Sequence, residues 1–348
     1  MKPEQGTYHI QGVALKDIAA EFGSPVYVYD AEKITSQVQK LQKAFSQANL
    51  KIKFAAKALT SLSVLQLLRQ KGTHFDAVSI NEVKIGLRAG FKPEEILFTP
   101  NFAPFSEVEE AVALGALVNI DNTVYLEKFG QRYGHSVPCC LRINPNIRAG
   151  GNEKIQVGHD KSKFGIPAAQ LQSILQIVEQ YNIQVKGLHK HTGSDIKEAE
   201  AFTEGAGLLF KLAMHFKELR FLDFGGGFKV RYREEDPSLD IDKLGHMLSE
   251  ALRTFSQSYG RELELWIEPG KFLVSEAGLL LAQVTLLKDN PSGVFAGLDT
   301  GLNHLIRPMM YGAYHGIVNI SNPEGAKKNY NVVGYICETD TFASDRQI

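Results

Sequence analysis

The sequence predicts an α/β fold: a (β/α)8 TIM barrel joined to a second, mainly β domain. Three observations predict it. A short apolar or β-branched run, a polar turn and a helix-period stretch recur eight times over about 220 residues. The runs are near-continuously apolar, as in parallel strands buried on both faces, and lack the alternation of a half-solvated sheet. The helix-period texture stops after Gly270, where short strand-like runs and turns take over. Eight regular alternations favour a closed barrel over an open doubly wound sheet.

In chain order the runs are KIKFAAKA (51–58), HFDAVS (74–79), ILFTP (96–100), LVNID (117–121), CCLRINP (139–145), VKGLHKHTG (185–193), RFLDFGGG (220–227) and ELWIEPG (264–270). The helices between them carry their own signals. Ser106 with Glu109 three residues on reads as a capping box for a helix over 106–114, stopped by Gly115. Residues 167–181 begin at Pro167 and place Leu171, Ile174, Leu175 and Val178 on one stripe. Residues 240–255 align Leu244, Met247, Leu248, Ala251, Leu252 and Phe255 in the same way. Beyond Gly270 the runs FLVSEAGLLLAQVTLLKDN, VFAGLDT, YHGIVNISN and NYNVVGYICE read as short strands with turns and no helix. The strand SPVYVYD (24–30) is expected to join them, because chain termini often lie close together. The expected division is a barrel over 31–272 and a β-domain made of 1–30 plus 273–348.

With 348 residues the chain is too long for one small core and suits a large domain plus a smaller one. Hydrophobic content of 44% and charged content of 22% are those of an ordinary globular protein. A net charge of −1 suggests neither a nucleic-acid nor a membrane-surface partner. Cys139, Cys140 and Cys337 make no disulfide framework, so a reducing compartment is expected. The N-terminal stretch lacks the apolar segment of a signal peptide, and no apolar run approaches the roughly 20 residues that span a bilayer. A cytoplasmic enzyme is the expectation.

In such barrels the working residues close the strands at their C-terminal ends. Those ends carry Lys57, Asp76, Ser79, Asn101, Arg142, Asn144, His189, His191, Gly225 to Gly227 and Glu268. Each has two readings. Lys57 is a snorkelling lysine or a partner of Asp76, or else a desolvated amine able to form a Schiff base. Gly225, Gly226 and Gly227 make a tight turn, or let backbone N–H groups approach a phosphate. His189 and His191 share a strand face while Lys190 points the other way; they are structural, or a metal pair, or a flat ring that stacks on a planar cofactor with Ser194 nearby for its phosphate. Glu268 pairs with Lys271, or holds a protonated pyridine nitrogen. In the second domain Arg307 and Tyr311 offer a carboxylate fork and a phenol, and Cys337-Glu338 offers a thiol beside an acid.

Taken together and in this order, GSPVYVYD, FAAKAL, FDAVS followed by Glu82, LRINP, SKFGI, GLHKHTGSDI, DFGGGF, IEPGK, LNHLIRPMMYGAYH and VVGYICETD resemble the fold-type III pyridoxal-phosphate decarboxylases. Within that group the diaminopimelate decarboxylases match best. Each motif alone is weak or moderate; their joint order and spacing are specific. The resemblance implies pyridoxal 5'-phosphate as cofactor and decarboxylation of meso-2,6-diaminopimelate to L-lysine and CO2, the last step of lysine biosynthesis. It implies that Lys57 carries the cofactor, that His191 stacks on its ring and that Glu268 holds the pyridinium. Ser194, Gly225, Gly226, Gly227 and the segment Glu268, Pro269, Gly270, Lys271 would hold the phosphate. Lys271, Arg307 and Tyr311 would bind substrate carboxylate, Cys337 would donate a proton and Glu338 would hold the distal ammonium. The last two would serve a neighbouring subunit, implying a homodimer with shared active sites.

Two departures stand out. Lys271 occupies a position usually held by Arg, which replaces a bidentate contact by a point charge. The family also continues past the ICETDTFASDRQI that ends this sequence, so its β-domain is expected to be incomplete. The rival readings are a sibling decarboxylase of ornithine, arginine or carboxynorspermidine, a non-catalytic cofactor-binding relative, and a metal hydrolase built on His189 and His191.

Overall fold

The computed structural model describes residues 3–146, 162–291 and 293–348. They fall into two units: Lys33–Val230 with Pro237–Ser275, and the N-terminal residues through Glu32 with Arg231–Asp236 and Glu276–Ile348.

The larger unit is built on eight parallel strands: β1 (Leu50–Ala55), β2 (His74–Ala77), β3 (Ile96–Phe98), β4 (Leu117–Ile120), β5 (Cys139–Asn144), β6 (Val185–Lys190), β7 (Phe221–Asp223) and β8 (Glu264–Ile267). Each pairs with the next, and β8 pairs with β1 through Leu265↔Leu50, Trp266↔Lys51 and Ile267↔Ile52, so the sheet closes. All eight expected runs become strands. Asp76, Arg142, Asn144 and His189 lie within the last residues of their strands, and Lys57, His191, Gly225–Gly227 and Glu268 lie just beyond theirs. The run Ile166–Pro167 pairs briefly beside the end of β5.

Helices follow the strands for the reasons their sequences announce. Asp240 caps Ile241–Tyr259 by accepting from the Lys243 N–H at 2.9 Å, and Gly260 ends it in the left-handed region at φ 83°. Its buried stripe is Leu244, Leu248, Leu252 and Phe255. Ser79 caps Ile80–Arg88 by accepting from the Glu82 N–H at 3.2 Å, while the Glu82 carboxylate reaches back to the Val78 N–H at 2.7 Å. The helix expected over 106–114 starts earlier, at Phe105, and Ser106 is no cap. Pro104 stands in extended backbone directly ahead, so the chain turns helical one residue sooner and Ser106 lies inside the first turn. Glu109 pairs instead with Arg132 at 3.3 Å, and Glu107 accepts from the Ile80 N–H at 3.2 Å.

The barrel interior holds a cluster of Leu97, Cys140, Phe221 and Trp266. Phe221 and Trp266 stack with centroids 3.4 Å apart and planes 4° from parallel. The Lys53 ammonium lies 4.0 Å from the Trp266 ring centroid, an attraction that offsets part of its burial. Burial lowers Lys53 to about 8, against the pull of Asp223 and Asp76.

In the second unit, Val26–Tyr29 pairs antiparallel with Gly278–Leu281. A separate sheet orders Val284–Asn290, Gly293–Leu298, Asn329–Val333 and Thr341–Gln347. Tyr8, Ile10, Leu15 and Leu281 form a small core with Val26, Val28 and Leu279 against it. Two expectations fail beyond Gly270. Lys271–Val274 and Arg307–Tyr311 are helical, each only one turn long and too short for a periodic signal to register. The run YHGIVNISN forms no strand, and its Val318 is exposed. Among the described residues no helix is long and apolar enough to cross a membrane.

Candidate active site

β1 ends at Ala55, and one 3-10 turn (Ala56–Ala58) lifts Lys57 out of the barrel wall. Its side chain is exposed, so the buried, desolvated amine of the sequence reading is not what the structure holds. Position sets it apart instead. Gly270 packs on this turn: a Cβ there would lie 3.1 Å from the Ala58 Cβ, and the Ala55 N–H donates to the Pro269 carbonyl at 3.2 Å. The ammonium of Lys57 is near enough to pull Asp76 down and to oppose protonation of His191.

The glycine turn lies against the same residues. Gly225 and Gly227 have φ of +68° and +96°, backbone that side chains rarely adopt. A Cβ on Gly226 would overlap the Glu268 carbonyl oxygen, and one on Gly227 would overlap the Gly193 carbonyl oxygen beside Ser194. The Gly226 N–H donates to His191 Nδ1 at 3.2 Å. Thus Gly225–Gly227, His191, Ser194, Glu268 and the Lys57 turn meet at one end of the barrel. His191 lies one residue beyond β6 and is half-buried.

Glu268 itself is buried and does not pair with Lys271. Its Oε2 lies 3.1 Å from His189 Nε2, and its Oε1 has no hydrogen-bond partner among the described residues. Burial alone would raise its pKa, but the His189 contact and the Arg142 charge outweigh it and hold Glu268 at about 2. Asp76 goes the other way: burial and the Glu268 charge push it up to about 8, against Lys57 and Arg142. Two close buried acids cannot both ionise at low cost, and Glu268 is the one that keeps its charge. Lys271 pairs with Asp195 at 2.6 Å, so the expected Glu268–Lys271 contact is replaced by one to the loop after β6.

Strand register adds two residues that do not lie at strand ends in the sequence. Asn119 and Asp223 sit within runs read only as strands, and a polar residue inside a buried run was their available signal. His189 is level with Arg142 on β5 and Asp223 on β7. Among the described residues, His189, Asp223 and Glu268 bring donor atoms within 4.8 Å of one another, whereas His191 does not join them. No group of three donors that includes both histidines is present among the described residues.

The residues assigned to the second domain lie in the second unit. Arg307 stacks 4.2 Å from the Tyr232 ring and its Nη1 is 3.0 Å from His315 Nε2. Burial and the Arg307 charge lower His315 to about 4, which leaves it neutral and able to accept from the guanidinium. Tyr311 closes the same short helix and is half-buried. Cys337 and Glu338 are exposed in a bend past the strand that ends at Val333, rather than at the strand's end.

A pyridoxal group fits the barrel residues. An unpartnered, ionised carboxylate oxygen suits a protonated ring nitrogen, and a glycine turn that cannot accept side chains suits a phosphate. Comparison with known proteins agrees. The diaminopimelate decarboxylase of Methanothermobacter thermautotrophicus is 32% identical over 99% of this chain and 83% of its own length. That of Pseudomonas fluorescens is 34% identical over 97% of this chain and 82% of its own. The crystal structure of the Helicobacter pylori diaminopimelate decarboxylase complexed with L-lysine superposes with a TM-score of 0.87 at 30% identity, covering 96% of this chain and 84% of that one. The family "Pyridoxal-dependent decarboxylase, pyridoxal binding domain" matches residues 31–275, and the chain belongs to the pyridoxal-dependent decarboxylases.

Proposed function

We propose that this chain decarboxylates meso-2,6-diaminopimelate to L-lysine and CO2, the closing step of lysine biosynthesis, with pyridoxal 5'-phosphate as cofactor. The observation that carries the reading is the meeting of the Lys57 turn, the Gly225–Gly227 turn and the unpartnered Oε1 of buried Glu268 at one barrel end. The relatives named above, at 32% and 34% identity over nearly the whole chain, supply the substrate.

Lys57 would supply the amine that holds the cofactor's aldehyde, and its exposed position leaves space beside it for a substrate amine. Bound there, pyridoxal phosphate supplies an electron sink for the pair released as the α-carboxylate leaves. Glu268 keeps a proton on the ring nitrogen, because its own carboxyl stays ionised at about 2. His191 covers one face of the ring, and being kept neutral by burial and the Lys57 and Arg142 charges it adds no competing cation. Ser194, the three glycines and Glu268 to Lys271 line the phosphate. Lys271, Arg307 and Tyr311 hold carboxylate, Glu338 the distal ammonium, and Cys337 returns a proton to the α-carbon. Lys271 approaches as a point charge already shared with Asp195, so Arg307 carries the bidentate recognition.

The protein acts as a homodimer in which Cys337 and Glu338 serve the neighbouring subunit; a sedimentation mass of one chain under turnover conditions would refute this. The substrate reading is tested by CO2 release. Meso-diaminopimelate is expected to be turned over at least about 100-fold more efficiently than ornithine or arginine, since both lack the distal carboxylate and its loss leaves buried polar groups unpaired. Equal or better turnover of ornithine or arginine would overturn it.

A further inference from the structure

Five side chains form one line of polar contacts across the barrel. Thr99 Oγ1 donates to Asp76 Oδ1 at 2.8 Å. Asn119 Nδ2 lies 3.4 Å from Thr99 Oγ1 and 2.9 Å from His189 Nδ1. His189 Nε2 lies 3.1 Å from Glu268 Oε2. All five are buried, with Asn119 and His189 fully so at 0% exposure. They come from the ends or interiors of β2, β3, β4, β6 and β8.

The line has a direction. The Asn119 amide NH2 donates to Thr99 Oγ1, so Thr99 turns a lone pair toward Asn119. The Asn119 amide therefore presents its NH2 to both Thr99 and His189. His189 Nδ1 must then accept, which places the ring proton on Nε2, facing Glu268. Glu268 Oε2 lies against that nitrogen at 3.1 Å, and Oε1 is unpartnered among the described residues. The other titratable groups that bear on the His189 ring are Arg142, Lys190 and Asp223, the last with a carboxylate oxygen within 4.8 Å of its donor atom.

We propose that Asn119 and His189 are positioning residues, which set the tautomer and orientation that present Glu268 Oε1 to the cofactor's ring nitrogen. This rests on the cofactor reading above and extends it to residues that touch neither substrate nor cofactor. A neutral His189 donating from Nε2 anchors one carboxylate oxygen without cancelling the charge, and so leaves the other as a strong acceptor. The anchoring also resists rotation of the carboxylate toward Asp223, whose own Oδ2 is buried and unpartnered among the described residues.

The test uses the full chain loaded with pyridoxal phosphate and three variants: His189→Leu, His189→Gln and Asn119→Leu. Readouts are kcat and KM for meso-diaminopimelate, the pH dependence of the visible absorption band, and the melting temperature. His189→Leu is expected to lower kcat by about 10–100-fold, the usual loss when the partner orienting a functional ligand is removed. KM should change far less, and the band's pH transition should move to lower pH as the ring nitrogen loses its proton more easily. Gln at this position still donates to Glu268 and accepts from Asn119, so His189→Gln should recover most of kcat and the wild-type transition. Asn119→Leu, which frees the tautomer without touching the ring, should reproduce the spectral shift, and it serves if His189→Leu does not fold. Variants that keep wild-type kcat and band while only melting earlier would overturn the inference and leave a purely structural network. A wild-type protein that takes up no pyridoxal phosphate would overturn the cofactor reading instead.

Discussion

Lys190 shows how far a single side chain can depart from what its neighbours in sequence suggest. Alternation along β6 turns it away from His189, and it lies fully enclosed, its Nζ 3.4 Å from the Phe202 carbonyl and 5.3 Å from the Phe202 ring. Gly205 makes the room, since a Cβ there would come within 2.7 Å of the ammonium. Burial lowers the pKa of Lys190 to about 7, against the pull of Asp223. A lysine depressed on folding opposes the folded state while it carries its proton. That opposition is complete below about 7 and fades as pH climbs toward the ordinary lysine range, so stability rises across the window. Lys190→Met should therefore stabilise the protein by about 1–3 kcal/mol near pH 6.5, with a gain that shrinks by pH 10. Thermal unfolding at the two pH values checks this; a gain that grows with pH would reverse the assignment. The alternation was legible in the sequence, but the enclosure was not, because it depends on a helical glycine 15 positions away.

At the scale of elements, the eight strands were readable because buried parallel strands are apolar throughout. Their polar tails, where the candidate residues gather, were readable for the same reason. The failures have local causes. Pro104 starts the next helix before Ser106 can cap it, and Lys271–Val274 and Arg307–Tyr311 are shorter than the period by which helices are recognised. Asn119 and Asp223 carry no spacing signal, because their facing the site across the barrel is a matter of register, not of spacing along one strand. The glycine turn was visible as a motif, yet its requirement for glycine is a property of two touching elements. Gly226→Ala drives a methyl group into the Glu268 carbonyl, so the turn must move. Overpacking of this kind costs about 1–3 kcal/mol, and pyridoxal phosphate affinity should fall at least tenfold. Titration of the cofactor-free protein followed by absorbance measures it; unchanged affinity would show that the turn does not hold the phosphate.

For the whole molecule, the division of labour follows the two units. The barrel unit carries Lys57, His191, Ser194, the glycine turn, Glu268 and Lys271, and the second unit carries Arg307, Tyr311, Cys337 and Glu338. Four amines of the barrel could meet the cofactor, and their settings differ. Lys53 and Lys190 are enclosed, Lys271 is paired with Asp195, and Lys57 stands exposed on the turn beside Pro269–Gly270. Borohydride reduction of the pyridoxal phosphate-loaded protein, followed by proteolysis and mass spectrometry, reads that choice directly. The pyridoxyl group is expected on the peptide that contains Lys57, and in the Lys57→Ala protein it should be absent from every peptide. Its appearance on Lys53, Lys190 or Lys271 in the unaltered protein would contradict the account.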